Sequence, residues 1–154
     1  MLKSHDAPTA NVAAALAASA SVHVFGSVCC DVGIGGLNSV AIDNALAFGA
    51  KIVWLPTFSS SQDWHRHGRN HDVAWPGVAV CDGAGNSCPQ QRTAQSTFAA
   101  GAIVATGHIS VREHLAVARA RPGRRSQRTH QRARFGGILA CDLHEAAIER
   151  AGRR

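Results

Sequence analysis

The chain has no Tyr, a single Met and only 5% aromatic residues, with charged residues at 17% against 45% hydrophobic. So little aromatic mass leaves a core to be built from small residues, Ala and Gly above all. The five Cys, at positions 29, 30, 81, 88 and 141, form no C-x-x-C pair. Adjacent Cys29 and Cys30 cannot easily bridge each other, so reduced thiols are the simpler expectation. No segment approaches the roughly 18–20 apolar residues that a membrane helix needs. The N-terminal stretch is interrupted by Asp6, Pro8, Thr9 and Asn11, where a secretory leader has an unbroken apolar run. The expected location is the cytoplasm, with no membrane partner.

What is present in excess is positive charge, at a net +6 and a pI near 9.7. Such a balance invites a nucleic-acid reading, because Lys and Arg displace the counterions of phosphates. The charge is local, however: residues 119–134, RARPGRRSQRTHQRAR, hold seven Arg, and without them the chain is close to neutral. No aromatics for base stacking interleave with the run, which meets only Phe135 at its end. A solvated charge run is therefore favoured over a nucleic-acid interface, which stands as the alternative function.

At 154 residues one domain is the default, and its organising pattern is the alternation of short apolar runs with Ala-rich helical windows. That alternation marks βα units around a parallel sheet. Pro8 and Thr9 open a helix to about Ser19, with Thr9 at the N-cap, and Val22–Val28 follows as a strand. GIGGLN, at 33–38, then makes a tight turn into a helix from Ser39 to Phe48, capped by Asn38 and stopped by Gly49. KIVWLPT, at 51–57, is the clearest strand, since a continuous apolar run indicates burial on both faces. A long polar loop over 58–76 precedes a short apolar run, GVAVCD. A helix near 90–100, a strand at 102–106 and a helix capped by Ser110 and running to about Ala120 complete the pattern. A further strand is due soon after Gly123, where the Arg-rich sequence offers no apolar face.

Nine His in 154 residues is high, and several fall just beyond strand ends, where loops of α/β proteins converge on ligands. These are His5, after Met1–Lys3; His65 and His67, after the 51–57 strand; His108, after the 102–106 strand; and His130, should its strand exist. Neutral imidazole suits Zn and similar divalent ions, and a catalytic site commonly takes three protein ligands plus an open position. The spacing is scattered, with no H-E-x-x-H motif, and a solvated loop with idle His residues is an equal reading of 64–71. His23 reads as a helix-facing or surface position, and His114 and His144 as exposed helix residues. Asp31 could serve as a general base, although an isolated loop Asp is more often a turn or cap residue.

Four strings together resemble an uncharacterised microbial family related to the amidohydrolases, metal-dependent hydrolases with a TIM-type barrel. They are LKSHDAPTA (2–10), VFGSV with GGLN (24–38), GAKIVWLPT (49–57) and ATGHIS (105–110). The resemblance covers about residues 2–118. It implies a partial TIM-type (β/α) barrel of roughly four βα units, a divalent metal at the mouth (Zn first, then Mn, Fe or Ni), and metal-activated water attacking an amide, ester or related bond of a small-molecule substrate. Carried over by motif, Lys3 and His5 match the family's K-x-H element, with Lys3 catalytic. His65 matches the His after its W-x-P-T strand, His108 its T-G-H element, and His130 its later T-H element; these four His are the implied metal ligands.

The chain departs from that pattern in lacking the H-x-H pair of a first strand and the acidic residue of a later one. The expectation is an incomplete, weakly active or inactive copy. It would be truncated at its start and read out of frame from about residue 119, giving a hydrolase domain over 1–118 and an Arg-rich C-terminal segment over 119–154. A short paralogue with an unrelated basic tail is the other reading of the same departure. Open sheet edges would then invite self-association.

Overall fold

The computed structural model describes residues 1–67, 77–82, 97, 99–120 and 138–139. Helix α1 spans Ala10–Ala17 and is followed by strand β1, Ser27–Cys29. A 3₁₀ turn at Val32–Ile34 leads to α2, Ser39–Ala47, and then β2, Ile52–Trp54. Next come α3, Ser61–His67, β3, Ile103–Ala105, α4, Val111–Ala120, and β4, Ile138–Leu139. Among the described residues the strands form one parallel sheet in the order β1-β2-β3-β4. The chain is thus an α/β protein whose successive strands are neighbours.

The local sequence accounts for most of these elements. Asn38 caps α2 as its composition suggests, its side chain accepting from the N–H groups of Val40 and Ala41 at 3.1 and 3.2 Å. Ser110 and Glu113 form a capping box at α4: the Ser110 N–H and hydroxyl donate to Glu113 at 2.8 and 2.7 Å, and the Glu113 N–H donates back to the Ser110 hydroxyl. Thr9 stands at the N-cap of α1 but makes no side-chain cap bond. Its hydroxyl instead bridges to Leu2 O at 2.9 Å and Ser27 O at 3.1 Å and accepts from Ser27 N, tying the N-terminal segment to β1.

Strand β1 is shorter than the 22–28 expected: it covers Ser27–Cys29, all buried, while Val22 is 70% exposed. The polar stretch after β2 is not wholly a loop, since α3 forms within it. The next strand after β3 arrives at 138–139 rather than soon after Gly123, within the segment read as an Arg-rich tail. The Arg run itself, His130 and most of the 90–100 window lie outside the described residues, apart from the end of α4 and the helical positions Thr97 and Ala99.

Register fixes which side chains share a face, since neighbours alternate along a strand. Val28, Val53 and Val104 are register partners and wholly or almost wholly buried. On their side pack Ala10 of α1, Ile42 and Ala45 of α2, and Val117 of α4, in two apolar clusters. The α1 helix approaches so closely that a Cβ on Gly26 would lie 2.3 Å from the Ala10 Cα. Cys29, Trp54 and Ala105, also register partners, face the other side. Cys29 and Cys30 are free thiols as expected, whereas Cys81 is disulfide-bonded, a correction to the expectation that all five are reduced. No helix among the described residues is long and apolar enough to cross a membrane.

Candidate metal centre

The C-terminal ends of β1 and β2 bring together four side chains from three chain segments: His5, Cys29, Asp31 and Thr57. Cys29 is the last residue of β1, and its Cβ direction puts it on the face opposite the helices. Asp31 lies two residues on, and Thr57 sits in the loop after β2. Cys29, Asp31 and Thr57 are at most 2% exposed, and the His5 side chain is 29% exposed.

Asp31 is the hub. Its Oδ1 accepts from the backbone N–H groups of Thr57 and Ser59, at 2.8 and 3.0 Å. Its Oδ2 faces His5 Nδ1 at 2.7 Å, the Cys29 thiol at 3.2 Å and the Thr57 hydroxyl. Since the one hydroxyl proton of Thr57 goes to Asp31, Thr57 Oγ1, 2.7 Å from His5 Nδ1, is an acceptor there. Nδ1 therefore carries the ring proton. Ser59 adds a further tie by accepting from Val32 N at 3.0 Å.

These contacts set the ionisation of the two buried acids. Burial alone would raise the Asp31 carboxyl, but the donors from Thr57, His5 and Ser59 outweigh it and hold the group at about 2. Burial pushes the Cys29 thiol up to about 12; the Thr57 contact lowers it, the Asp31 charge raises it further, and Lys3 pulls weakly the other way. Cys30 is raised still more, chiefly by burial.

His5, Cys29 and Asp31 form a group that could hold a metal ion. Nδ1, Sγ and Oδ2 make a triangle with sides of 2.7, 3.2 and 3.7 Å. That is close to the size spanned by ligands that bond a cation at roughly 2.0–2.3 Å.

The residues singled out in the sequence distribute unevenly around this centre. His5 is part of it. Lys3 is exposed, with its Nζ 4.3 Å from the centroid of the Trp54 ring. His108 is separated from His5 by Phe58, which stacks on His5 at 4.3 Å between ring centroids and meets His108 edge-on at 5.8 Å. His108 pairs instead with Asp63, Nδ1 to Oδ1 at 3.2 Å. His65 is exposed on α3 and lines a separate cleft of about 420 Å³ with Cys81, Asp82 and Glu113. His130 lies outside the described residues. The four His implied by resemblance are thus not brought together among the described residues, and the donors around His5 are Cys29 and Asp31.

Residues 1–150 match the profile of DUF6282, a family of unknown function. The chain belongs to that family. No curated protein and no solved structure matches the chain. In this DUF6282 member nothing in the sequence marks Cys29 as a partner of His5, and Asp31 reads there only as a general base or a turn or cap residue, because neither sits in a recognisable motif. The available signal was C-x-D at the end of the first strong strand, a spacing that puts both side chains on one face.

Proposed function

We propose that the protein is a metal-dependent hydrolase of the amidohydrolase type, with a divalent ion held by His5, Cys29 and Asp31. Zn is the first candidate, since imidazole, thiolate and carboxylate are all zinc ligands. The observation that carries the proposal is the convergence of three donor atoms at the C-terminal ends of neighbouring parallel strands, where α/β enzymes build their sites. The sheet is read as a sector of a TIM-type (β/α) barrel. Its strands follow one another in sequence order, and the described helix contacts fall on the Val28–Val53–Val104 face, leaving the Cys29–Trp54–Ala105 face for a barrel interior.

A Cys–His–Asp nucleophile relay is the competing reading of the same residues, and the geometry disfavours it. Such a relay needs one imidazole nitrogen for the thiol and the other for the carboxylate. Here Cys29 Sγ and Asp31 Oδ2 both approach Nδ1, at 3.7 and 2.7 Å.

Bound at this position, a divalent ion supplies Lewis-acid polarisation of a substrate carbonyl and a water acidified toward neutrality. The chain's own residues do the rest. The N–H groups of Thr57 and Ser59 fix Asp31 through Oδ1 and leave Oδ2 directed at His5 and Cys29. Thr57 orients His5, and Phe58 covers one face of that imidazole. Ligation requires the Cys29 thiol to lose its proton and the His5 ring proton to sit on Nε2 instead of Nδ1, so binding is weaker at low pH.

Cobalt(II) titration of the full chain tests this. One equivalent should bind with a thiolate-to-cobalt charge-transfer band that Cys29→Ser abolishes and His65→Ala leaves intact. Zn(II) should then support hydrolysis of ester or amide substrates. Absence of the band in folded wild-type protein would remove the metal centre, and with it the hydrolase reading.

A further inference from the structure

The His108–Asp63 pair is not needed to hold the metal, yet it is built with as much support as the centre beside it. Gly107 takes φ +61° and passes so close to β2's exit that a Cβ there would lie 2.4 Å from Leu55 O and 2.5 Å from Pro56 O. His108 then donates its N–H to Pro56 O at 3.0 Å. One fully buried hydroxyl, that of Ser60, donates to His108 O at 2.8 Å and accepts from Asp63 N at 3.0 Å. The backbones of both partners are therefore fixed to the same atom. Asp63, 6% exposed in its side chain, presents Oδ1 to His108 Nδ1, while the imidazole remains 36% exposed.

We infer that His108 is a proton-transferring catalytic residue of the proposed hydrolase, and that Asp63 positions it. The inference rests on the hydrolase reading. Spending Nδ1–H on a buried carboxylate selects the tautomer whose lone pair is on Nε2, and the partly exposed ring makes that nitrogen the one available to substrate. The two imidazoles flank a single phenyl ring, Phe58, so His108 is a neighbour of the metal centre without belonging to it. In the reaction, Nε2 takes a proton from the attacking water as the new C–O bond forms. It returns that proton to the departing oxygen or nitrogen as the scissile bond breaks. The water's hydroxyl ends on the acyl product and its proton on the leaving group, and His108 is again neutral. Asp63 stabilises the transient imidazolium.

A leaving-group series tests the assignment. On zinc-loaded protein with 4-nitrophenyl, phenyl and ethyl acetate, His108→Gln should lose on the order of 10²-fold in kcat on the nitrophenyl ester, where only the water's proton must be taken, and more on the ethyl ester, whose leaving group also needs a proton. Asp63→Asn should show the same trend with smaller losses. No loss, or an equal loss across the series, would overturn the inference and leave the hydrolase reading standing, whereas wild-type protein that cleaves none of the esters would remove both. A second readout needs neither metal nor turnover. Imidazole ¹H–¹⁵N correlation spectra of the folded protein should show His108 protonated at Nδ1 in wild type and at Nε2 in Asp63→Asn. An Nε2–H wild-type His108 would overturn the inference, and these spectra also report whether each variant folds.

Discussion

Thr57 has a disproportionate share in the centre, because its hydroxyl donates to Asp31 and accepts from His5 while its own N–H holds the other carboxylate oxygen. Thr57→Val keeps the shape and the backbone bond but leaves buried polar partners short of a donor. It should destabilise the fold by about 1–3 kcal/mol, read by urea denaturation at neutral pH, and should weaken cobalt binding. The Asp31 carboxyl also sets an acid limit on the metal-free protein. Its folded value of about 2 lies below the ordinary 3.8. The stability it contributes, on the order of 2 kcal/mol, is therefore complete above about pH 5 and lost as pH falls through 4 towards 2. Asp31→Asn should remove that part of the acid dependence, as a denaturation series from pH 6 to 2 would record.

At the scale of elements, distance along the chain decides what is legible. The burial of Val28, Val53 and Val104 was readable, since a short apolar run between two Ala-rich helical windows is the mark of a strand covered on both faces. The caps of α2 and α4 were readable too, because Asn38 and the Ser110–Glu113 pair act over at most three residues. Thr9 looked like a cap and is instead a long-range tie to Ser27, which no local pattern could reveal. Asp31 looked like a turn residue for the same reason: its partners are 26 and 28 residues away. His65 and His108, implied as ligands by resemblance, lie outside the triad, His65 exposed on α3 and His108 across Phe58 from His5, and no local pattern in the sequence indicates either placement. Gly107→Ala tests the exit of β3. With φ at +61° and a Cβ 2.4 Å from a carbonyl oxygen, the substitution should cost at least about 2 kcal/mol in thermal or chemical unfolding. It should also shift the His108 ring resonances, while Gly49→Ala, with open space around its Cβ, should leave those resonances in place.

At the scale of the whole molecule, the strand order among the described residues makes β1 an edge, and that edge is partly covered. Leu2 donates to Phe25 O and Thr9 to Ser27 O, while Leu2 O receives the hydroxyls of Thr9 and Ser27. The segment that brings His5 to the centre is thus also the guard of the β1 edge. Deleting residues 1–9 should expose that edge as well as remove a donor, and light scattering should report association of the deleted chain at concentrations where the full chain gives none. The sequential parallel order was legible as alternation, but the position of β4 was not. The Arg-rich stretch obscured the fact that the next apolar pair, Ile138–Leu139, lies beyond it.

The double hold on Asp31 Oδ1 also bears on how the protein breathes. The amides of Thr57 and Ser59 point at a buried carboxylate that follows a different strand, so neither can meet solvent unless the two βα units part. Their hydrogen exchange should run at the rate of global opening, slower than that of the Ala residues in the exposed turns of α1, and loading the centre with zinc should slow it further. These two amides would then serve as internal clocks, reading out whether the cluster and the sheet come apart in one event.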